Sequence, residues 1–238
     1  MKRKILACVG LVALASGAFA GCEKDPEKTP EQDEWIELFE EWYPDDEFEY
    51  LGHDVGFMGS RNASVIVLGS KLFPDYSFRV AEQDGEIVSD YPAVYHSAAI
   101  EEHYEELVAD VFDCDEIDVK YNDVRIRLVH AEYMSDEDFI REYATNLYTV
   151  YLQYDRISDL PPRDEMIVSI LQYVDSTDDC ELQFIYCHSG SSDYDYRYDI
   201  KCYDGTIKYF VLWTGNSTDT EDIARDMTID DAMELYDS

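Results

Sequence analysis

Apolar and polar positions recur along this chain with two periods, and the switches between them mark its elements. Over "DEWIELFEEWY", Trp35, Ile36, Leu38, Phe39, Trp42 and Tyr43 fall at helical spacing, with Glu34, Glu37, Glu40 and Glu41 largely on the other side. This predicts a short amphipathic helix that Pro44 ends. Across residues 48–90 the pattern becomes that of strands broken by turn residues. Asp84-Gly85 is a two-residue hairpin signal, because both residues tolerate positive φ, so a meander of three or four strands is expected. In "AVYHSAAIEEHYEELVADVF", Ile100, Tyr104, Leu107, Val108, Val111 and Phe112 return to helical spacing and predict one long helix packed across that meander.

The second half repeats the alternation. Val124, Ile126 and Leu128 alternate with Arg125 and Arg127 as in a half-buried strand, and Ser135 is placed to cap "DEDFIREYA", whose acidic first turn complements the helix dipole. "LYTVYLQY" reads as a strand, and Pro161-Pro162 opens a helix with Met166, Ile167, Ile170, Leu171 and Val174 on one face. Three strands follow, "CELQFIYC", "YDIKCY" and "TIKYFVLW", the last two joined through Asp204-Gly205; "TEDIARDMTIDDAMELY" then predicts a terminal helix interrupted at Thr228. Strands come in runs with helices between the runs. The fold class is therefore α+β, with antiparallel meander sheets packed by amphipathic helices, spanning 33–238 as one domain or as two small similar halves divided near 113–120.

The first thirty residues have a different character. Lys2, Arg3 and Lys4 precede an uncharged apolar run over 5–20 that ends in small residues, the layout of a secretory signal. It is too short to remain as a membrane span, and no later segment approaches the ~20 apolar residues that a span needs. Two cleavage patterns overlap here. Ala18-Phe19-Ala20 fits an ordinary signal peptidase; Phe19-Ala20-Gly21-Cys22 resembles the lipobox of bacterial lipoproteins, with Phe19 where that pattern usually has Leu, Val or Ile. The resemblance covers only residues 1–22. It implies removal of 1–21 as a signal peptide, lipidation of Cys22, and export to the outer face of the bacterial cell membrane, or free secretion if Cys22 is not lipidated. Residues 23–32, "EKDPEKTPEQ", continue as a charged, Pro-bearing stretch nearly free of apolar groups, so 22–32 is expected to be the lipidated cysteine and a flexible spacer.

Cysteine counting favours the lipidated form. Cys22, Cys114, Cys180, Cys187 and Cys202 are an odd set for an oxidising compartment, and lipidating Cys22 removes the oddity. If a hairpin turns at residues 190–193, Cys180 lies opposite Cys202, which leaves Cys187 for Cys114. That is one of three connectivities open to four cysteines.

Charge narrows the partners. The formal net charge is −36, and loss of Lys2, Arg3 and Lys4 with the leader leaves 15 Lys+Arg against 54 Asp+Glu, or −39. Binding nucleic acid through its phosphates needs displaced counterions and therefore bases, so that class is excluded, and docking to anionic lipid head groups is disfavoured. Cationic proteins or peptides, cationic wall components and divalent cations remain as partners. Self-repulsion on this scale weakens the fold, so added salt or millimolar Ca²⁺ is expected to raise the melting temperature. A melting curve unmoved by ionic strength would contradict this.

Specific chemistry is harder to find. Asp113, Asp115 and Asp118 cluster as weak candidates for a hard cation, although in a chain this acidic such clusters arise by chance and solvated loops are the simpler explanation. "DYDYRYD" fails as a calcium loop, since Arg197 stands at its fifth position and Tyr198 where the turn needs Gly. His96 and His103 are two helical turns, about 10 Å, apart and cannot share a zinc ion. Cys187 and His188 are neighbours on a strand and point to opposite faces, which argues against a nucleophile pair. No phosphate-binding Gly motif, HExxH or GxSxG occurs, so no cofactor is implied and no catalytic residue stands out. Trp35, Phe39 and Trp42 form an interaction surface if the domain leaves them exposed. The expectation is a lipid-anchored, non-catalytic binding or interaction module for a cationic or carbohydrate-like partner. The alternative is a secreted hydrolase using a carboxylate pair in a Tyr/Trp-lined cleft.

Overall fold

The computed structural model describes residues 30–53, 65–122, 128–177, 179–189, 194–215 and 220–236. The signal segment, Cys22, the alternation from Val124 to Arg127 and the expected turn at 190–193 lie outside the described residues.

Two sheets, each with its own core, organise the chain. Helix α1 (Pro30–Trp42) leads into strands β1 (Phe48–His53), β2 (Ile66–Ser70), β3 (Ser77–Gln83) and β4 (Glu86–Ser89), which pair antiparallel in that order. At the β3–β4 turn Asp84 and Gly85 have φ of 54° and 87°, the left-handed geometry that a two-residue hairpin requires. The apolar stripe of α1 packs onto this sheet: Trp35, Phe39 and Tyr43 are buried with Phe48, Ile66, Leu68, Phe78 and Val80. This corrects the reading of Trp35, Phe39 and Trp42 as an interaction surface. Trp35 and Phe39 are 6% and 0% exposed, and Trp42 packs partly buried against the same core.

The predicted long helix is broken at His96 into α2 (Tyr91–Tyr95) and α3 (Ser97–Ala109). His96 is buried; its Nδ1 lies 2.6 Å from Asp136 Oδ1 and its ring stacks on Phe139 at 4.5 Å. A charged partner and an aromatic platform thus hold this residue at φ −89°, ψ 1°, where the regular helix is interrupted. Burial lowers the His96 pKa, against the opposing pull of Asp136.

Strand β5 (Glu116–Tyr121) begins the second sheet, but β6 (Val129–His130) returns to pair with β4 in the first. The two sheets therefore interleave in sequence, with the first crossing close to 113–120. Helix α4 (Asp136–Tyr143) follows, and the Ser135 hydroxyl caps it by accepting from the Asp138 N–H at 3.2 Å.

The larger sheet is built from β7 (Asn146–Tyr154), β8 (Cys180–His188), β9 (Tyr196–Tyr203), β10 (Thr206–Thr214) and β11 (Thr220–Ala224), in the order β11-β10-β9-β8-β7-β5. Its pairs are antiparallel except β7–β8, which are parallel and joined by the crossover helix α5 (Arg163–Asp175). The chain is thus α+β with two mostly antiparallel sheets. Its terminal segment departs from the predicted helix: 220–224 is the edge strand β11, β12 (Met227–Thr228) also pairs with β10, and only α6 (Ile229–Tyr236) is helical. The open ladder of β10 captures the first part, Asp226 turns the chain at φ 50°, and the Thr228 hydroxyl starts the helix by accepting from the Asp231 N–H at 3.1 Å.

Candidate functional site

Among the described residues, helices cover one face of the larger sheet only. Along β8 burial alternates strictly from Cys180 to Tyr186, with Leu182, Phe184 and Tyr186 inside the core formed with α3, α5 and α6. Glu181, Gln183, Ile185 and Cys187 point the other way. The registers align this second face into rows across the strands. Asp118, Tyr151, Ile185, Arg197 and Trp213 form one row, and Lys120, Thr149, Gln183, Asp199 and Val211 the next. Tyr151, Ile185, Val211, Tyr209 and Trp213 belong to neither core, and Tyr151 is 36% exposed.

Asp199 is the hub of this face. Its Oδ1 accepts from Gln183 Nε2 at 3.0 Å and Arg197 Nε at 2.9 Å; its Oδ2 accepts from an Arg197 terminal nitrogen at 3.0 Å and Trp213 Nε1 at 2.9 Å. The fork-to-fork ion pair fixes the guanidinium plane, which stacks 5.6 Å from the Trp213 ring centroid. One row away Lys201 donates to Glu181 at 2.7 Å and lies 5.2 Å from the Tyr203 ring, while Lys120 pairs with Asp118 at 2.7 Å. Hydrogen bonds donated to Asp199 and Glu181 raise the pKa of Arg197 and Lys201, so both stay charged. Burial raises those of Tyr151 and Tyr209, which remain neutral phenols. In a chain with so few bases, Lys120, Arg197 and Lys201 all stand on this one face, each beside an acid. The result is an open, charge-compensated platform of aromatic rings and planar hydrogen-bonding groups.

The residues singled out from the sequence lie elsewhere or act otherwise. Asp118 is held by Lys120, Asp115 Oδ2 accepts from the Asp155 N–H at 2.7 Å, and Asp113 is exposed. Among the described residues, no group of three or more His, Cys, Asp or Glu is arranged to hold a metal ion. Asp195 of "DYDYRYD" bonds His188 Nδ1 at 2.7 Å, and Asp193 lies outside the described residues. Cys187 sits on the platform side, its Sγ 3.8 Å from the Leu152 carbonyl, with a thiol pKa raised by burial, which is unsuited to a nucleophile. No disulfide joins the four described cysteines in this structure, and Cys180 stands opposite Cys202 in the expected register.

A recess of about 660 Å³ opens between α3 and α4, lined by Leu107, Tyr104, Ile140, His103, Glu137 and Arg141 among others. Glu137 is its one carboxylate, and Asp138 occupies Arg141. The platform itself was not read from sequence. Its signal was the regular placement of Arg197, Asp199 and Lys201 between apolar residues of "YRYDIKCY", but their neighbours follow from registers between strands far apart in the chain.

No helix among the described residues is long and apolar enough to cross a membrane. No protein-family model matches this chain, and no curated protein does. It is similar to a solved DUF5037 family protein from Ruminococcus gnavus, at 11% identity over 84% of this chain and 99% of that one, with a TM-score of 0.33; a likeness of that size carries no argument.

Proposed function

We propose that the protein is a lipid-anchored, extracytoplasmic binding module that engages an extended, neutral, hydroxyl-rich partner of the carbohydrate class through the open face of its larger sheet. The observation that carries this reading is the Asp199 hub. A carboxylate already accepting from Gln183, Arg197 and Trp213 has no capacity left for a cation, and instead it orients rings and planar polar groups. A sugar ring offers a patch of C–H bonds that an indole or phenol ring covers, with hydroxyl pairs at its edge that suit guanidinium, amide and carboxylate forks. Polar and aromatic groups spread over several rows favour a long polymer over a small enclosed ligand, since each subsite contributes little. The anchor at Cys22 rests on the lipobox-like segment, and two acyl chains there would hold the module stably at a membrane surface.

Titration of the mature chain with soluble polysaccharides, followed by calorimetry and indole fluorescence, tests this. Trp213→Ala and Tyr151→Ala are each expected to weaken binding by about tenfold or more while the chain stays folded with at most a small drop in melting temperature, and salt is expected to have little effect. Binding that survives Trp213→Ala but vanishes at high salt would instead assign the partner to the acidic surface. The net charge of −36 supports that cationic-partner reading as the second choice. A hydrolase needs two carboxylates converging on one bond beside an aromatic wall; the recess between α3 and α4 brings only Glu137, the cleft over Asp175, Asp179 and Asp204 brings three carboxylates but no Tyr or Trp, and where Glu47 and Glu49 share a recess Lys71 holds Glu47.

A further inference from the structure

We propose that the exported protein carries a single intrachain disulfide, Cys180–Cys202, and that Cys114 and Cys187 stay as thiols. The inference rests on the export reading for its oxidising environment, but its geometry is independent of it. Cys180 and Cys202 are directly opposite in the antiparallel β8–β9 pair. Opposed residues in such a pair have Cα atoms about 4.5 or 5.5 Å apart, and both values lie within the roughly 4.4–6.8 Å that a disulfide spans. The two side chains share the helix-covered face and are 2% and 4% exposed.

Cys114 and Cys187 do not meet in this way. Cys114 packs partly buried against the helix-covered core that holds Tyr154 and Tyr186. Cys187 lies on the platform face, where its neighbours are Glu116, Asp195 and Tyr151. The plane of the sheet separates them, so pairing by elimination fails on geometry even where the register of the first pair holds.

Cys202 lines a cleft of about 440 Å³ together with Asp175, Asp179 and Asp204, which gives a reagent access to the buried pair. Bond formation is thiol–disulfide exchange with a disulfide-bearing oxidant. The Cys202 thiolate, having released its proton to water, attacks one sulfur of the oxidant, and the other sulfur leaves as a thiolate. The Cys180 thiolate then attacks the Cys202 sulfur, forms the Sγ–Sγ bond and expels the second thiolate. Two cysteine thiols are oxidised and one oxidant disulfide is reduced to two thiols. Burial raises the thiol pKa values, that of Cys180 to about 11, and nearby Asp179 adds to the effect on both. Exchange after folding is therefore slow, and the bond acts as a permanent staple. It closes the β8–β9 pair at the end remote from residues 190–193, on the strands that carry Gln183, Arg197 and Asp199.

The test is peptide mapping without reduction, after alkylation, on two samples: full-length protein recovered from the exported fraction of a bacterial host, and the same chain refolded with oxidised and reduced glutathione. A Cys180–Cys202 peptide with alkylated Cys114 and Cys187 is expected in both. Reduction is expected to lower the melting temperature by roughly 5–10 °C, with no such response in the Cys180→Ala/Cys202→Ala double variant. Alkylated Cys180 and Cys202 after oxidative refolding, or either of them linked to Cys114 or Cys187, would overturn the proposal. A refolded chain that forms the bond while the cellular protein stays reduced in the cytosol would refute export and leave the pairing intact.

Discussion

Replacing Asp46 with alanine is expected to cost about 3–5 kcal/mol of stability, although the residue touches no proposed binding surface. Asp46 is 4% exposed and accepts from the backbone N–H groups of Glu47, Lys71 and Leu72 at 2.8, 3.0 and 2.9 Å, from the Ser70 hydroxyl, and from the Tyr91 hydroxyl at 2.7 Å. It ties the exit of α1 and the end of β2 to Tyr91, around which the rings of Phe39, Tyr43, Phe48, Phe73, Phe78 and Tyr95 stand at 4.7–6.1 Å. Removing the carboxylate strands four donors, two of them main-chain groups that cannot turn to water without moving the strand ends, while the Lys71 N–H keeps the Glu47 carbonyl at 3.0 Å. Urea unfolding of Asp46→Ala beside the parent measures the loss, and a difference below about 1 kcal/mol would show that water takes over the donors. The pH dependence has a definite sign. Burial pushes the Asp46 pKa up, but the hydrogen bonds from Ser70, Leu72, Tyr91 and Glu47 outweigh it, and the folded value lies below the ordinary 3.8. The stabilisation is therefore complete above the unfolded pKa and lost as pH falls through the lower folded one. Asp46→Asn is expected to remove this share of the acid sensitivity.

Phe184→Ala is expected to cost about 3–5 kcal/mol, for a different reason. Phe184 is fully buried at the middle of β8, with parallel β7 on one side and antiparallel β9 on the other; its ring lies 5.4 Å from Phe112 and 5.9 Å from Tyr173. Three elements would have to collapse together to fill the void, and a packed sheet cannot follow. Phe184→Leu is expected to recover most of the loss. The adjacent Ile185→Ala removes a side chain from the platform face and is expected to cost well under half as much, while weakening binding there. Equal losses at 184 and 185, by chemical unfolding, would mean that the platform is packed as a core.

These contrasts show how much of the protein was legible before its structure. The period-2 runs over β8, β9 and β10, the hairpins at Asp84-Gly85 and Asp204-Gly205 with Asp204 at φ 50°, the Ser135 cap and the apolar face of α5 are all consequences of neighbouring residues, and they are where the sequence placed them. Local propensity failed where a distant element supplied a stronger partner. His96 breaks a regular helical pattern where Asp136 and Phe139 meet its imidazole, and residues 220–224 join the sheet because β10 offers them unpaired main-chain groups. The amphipathic face of Trp35 and Phe39 was visible, but that the domain itself covers it depends on β1–β3.

By itself the sequence determined the α+β class, the alternation of buried and outward residues and the extreme acidity, because each follows from composition or from residues a few positions apart. Only the tertiary structure decided that Asp118, Tyr151, Ile185, Arg197 and Trp213 form one row, that Asp199 is saturated by three side chains, and that Cys114 and Cys187 lie on opposite sides of a sheet. Register and strand order are collective results of burying one face of each strand, and a shift of two residues leaves every local pattern unchanged while replacing every neighbour.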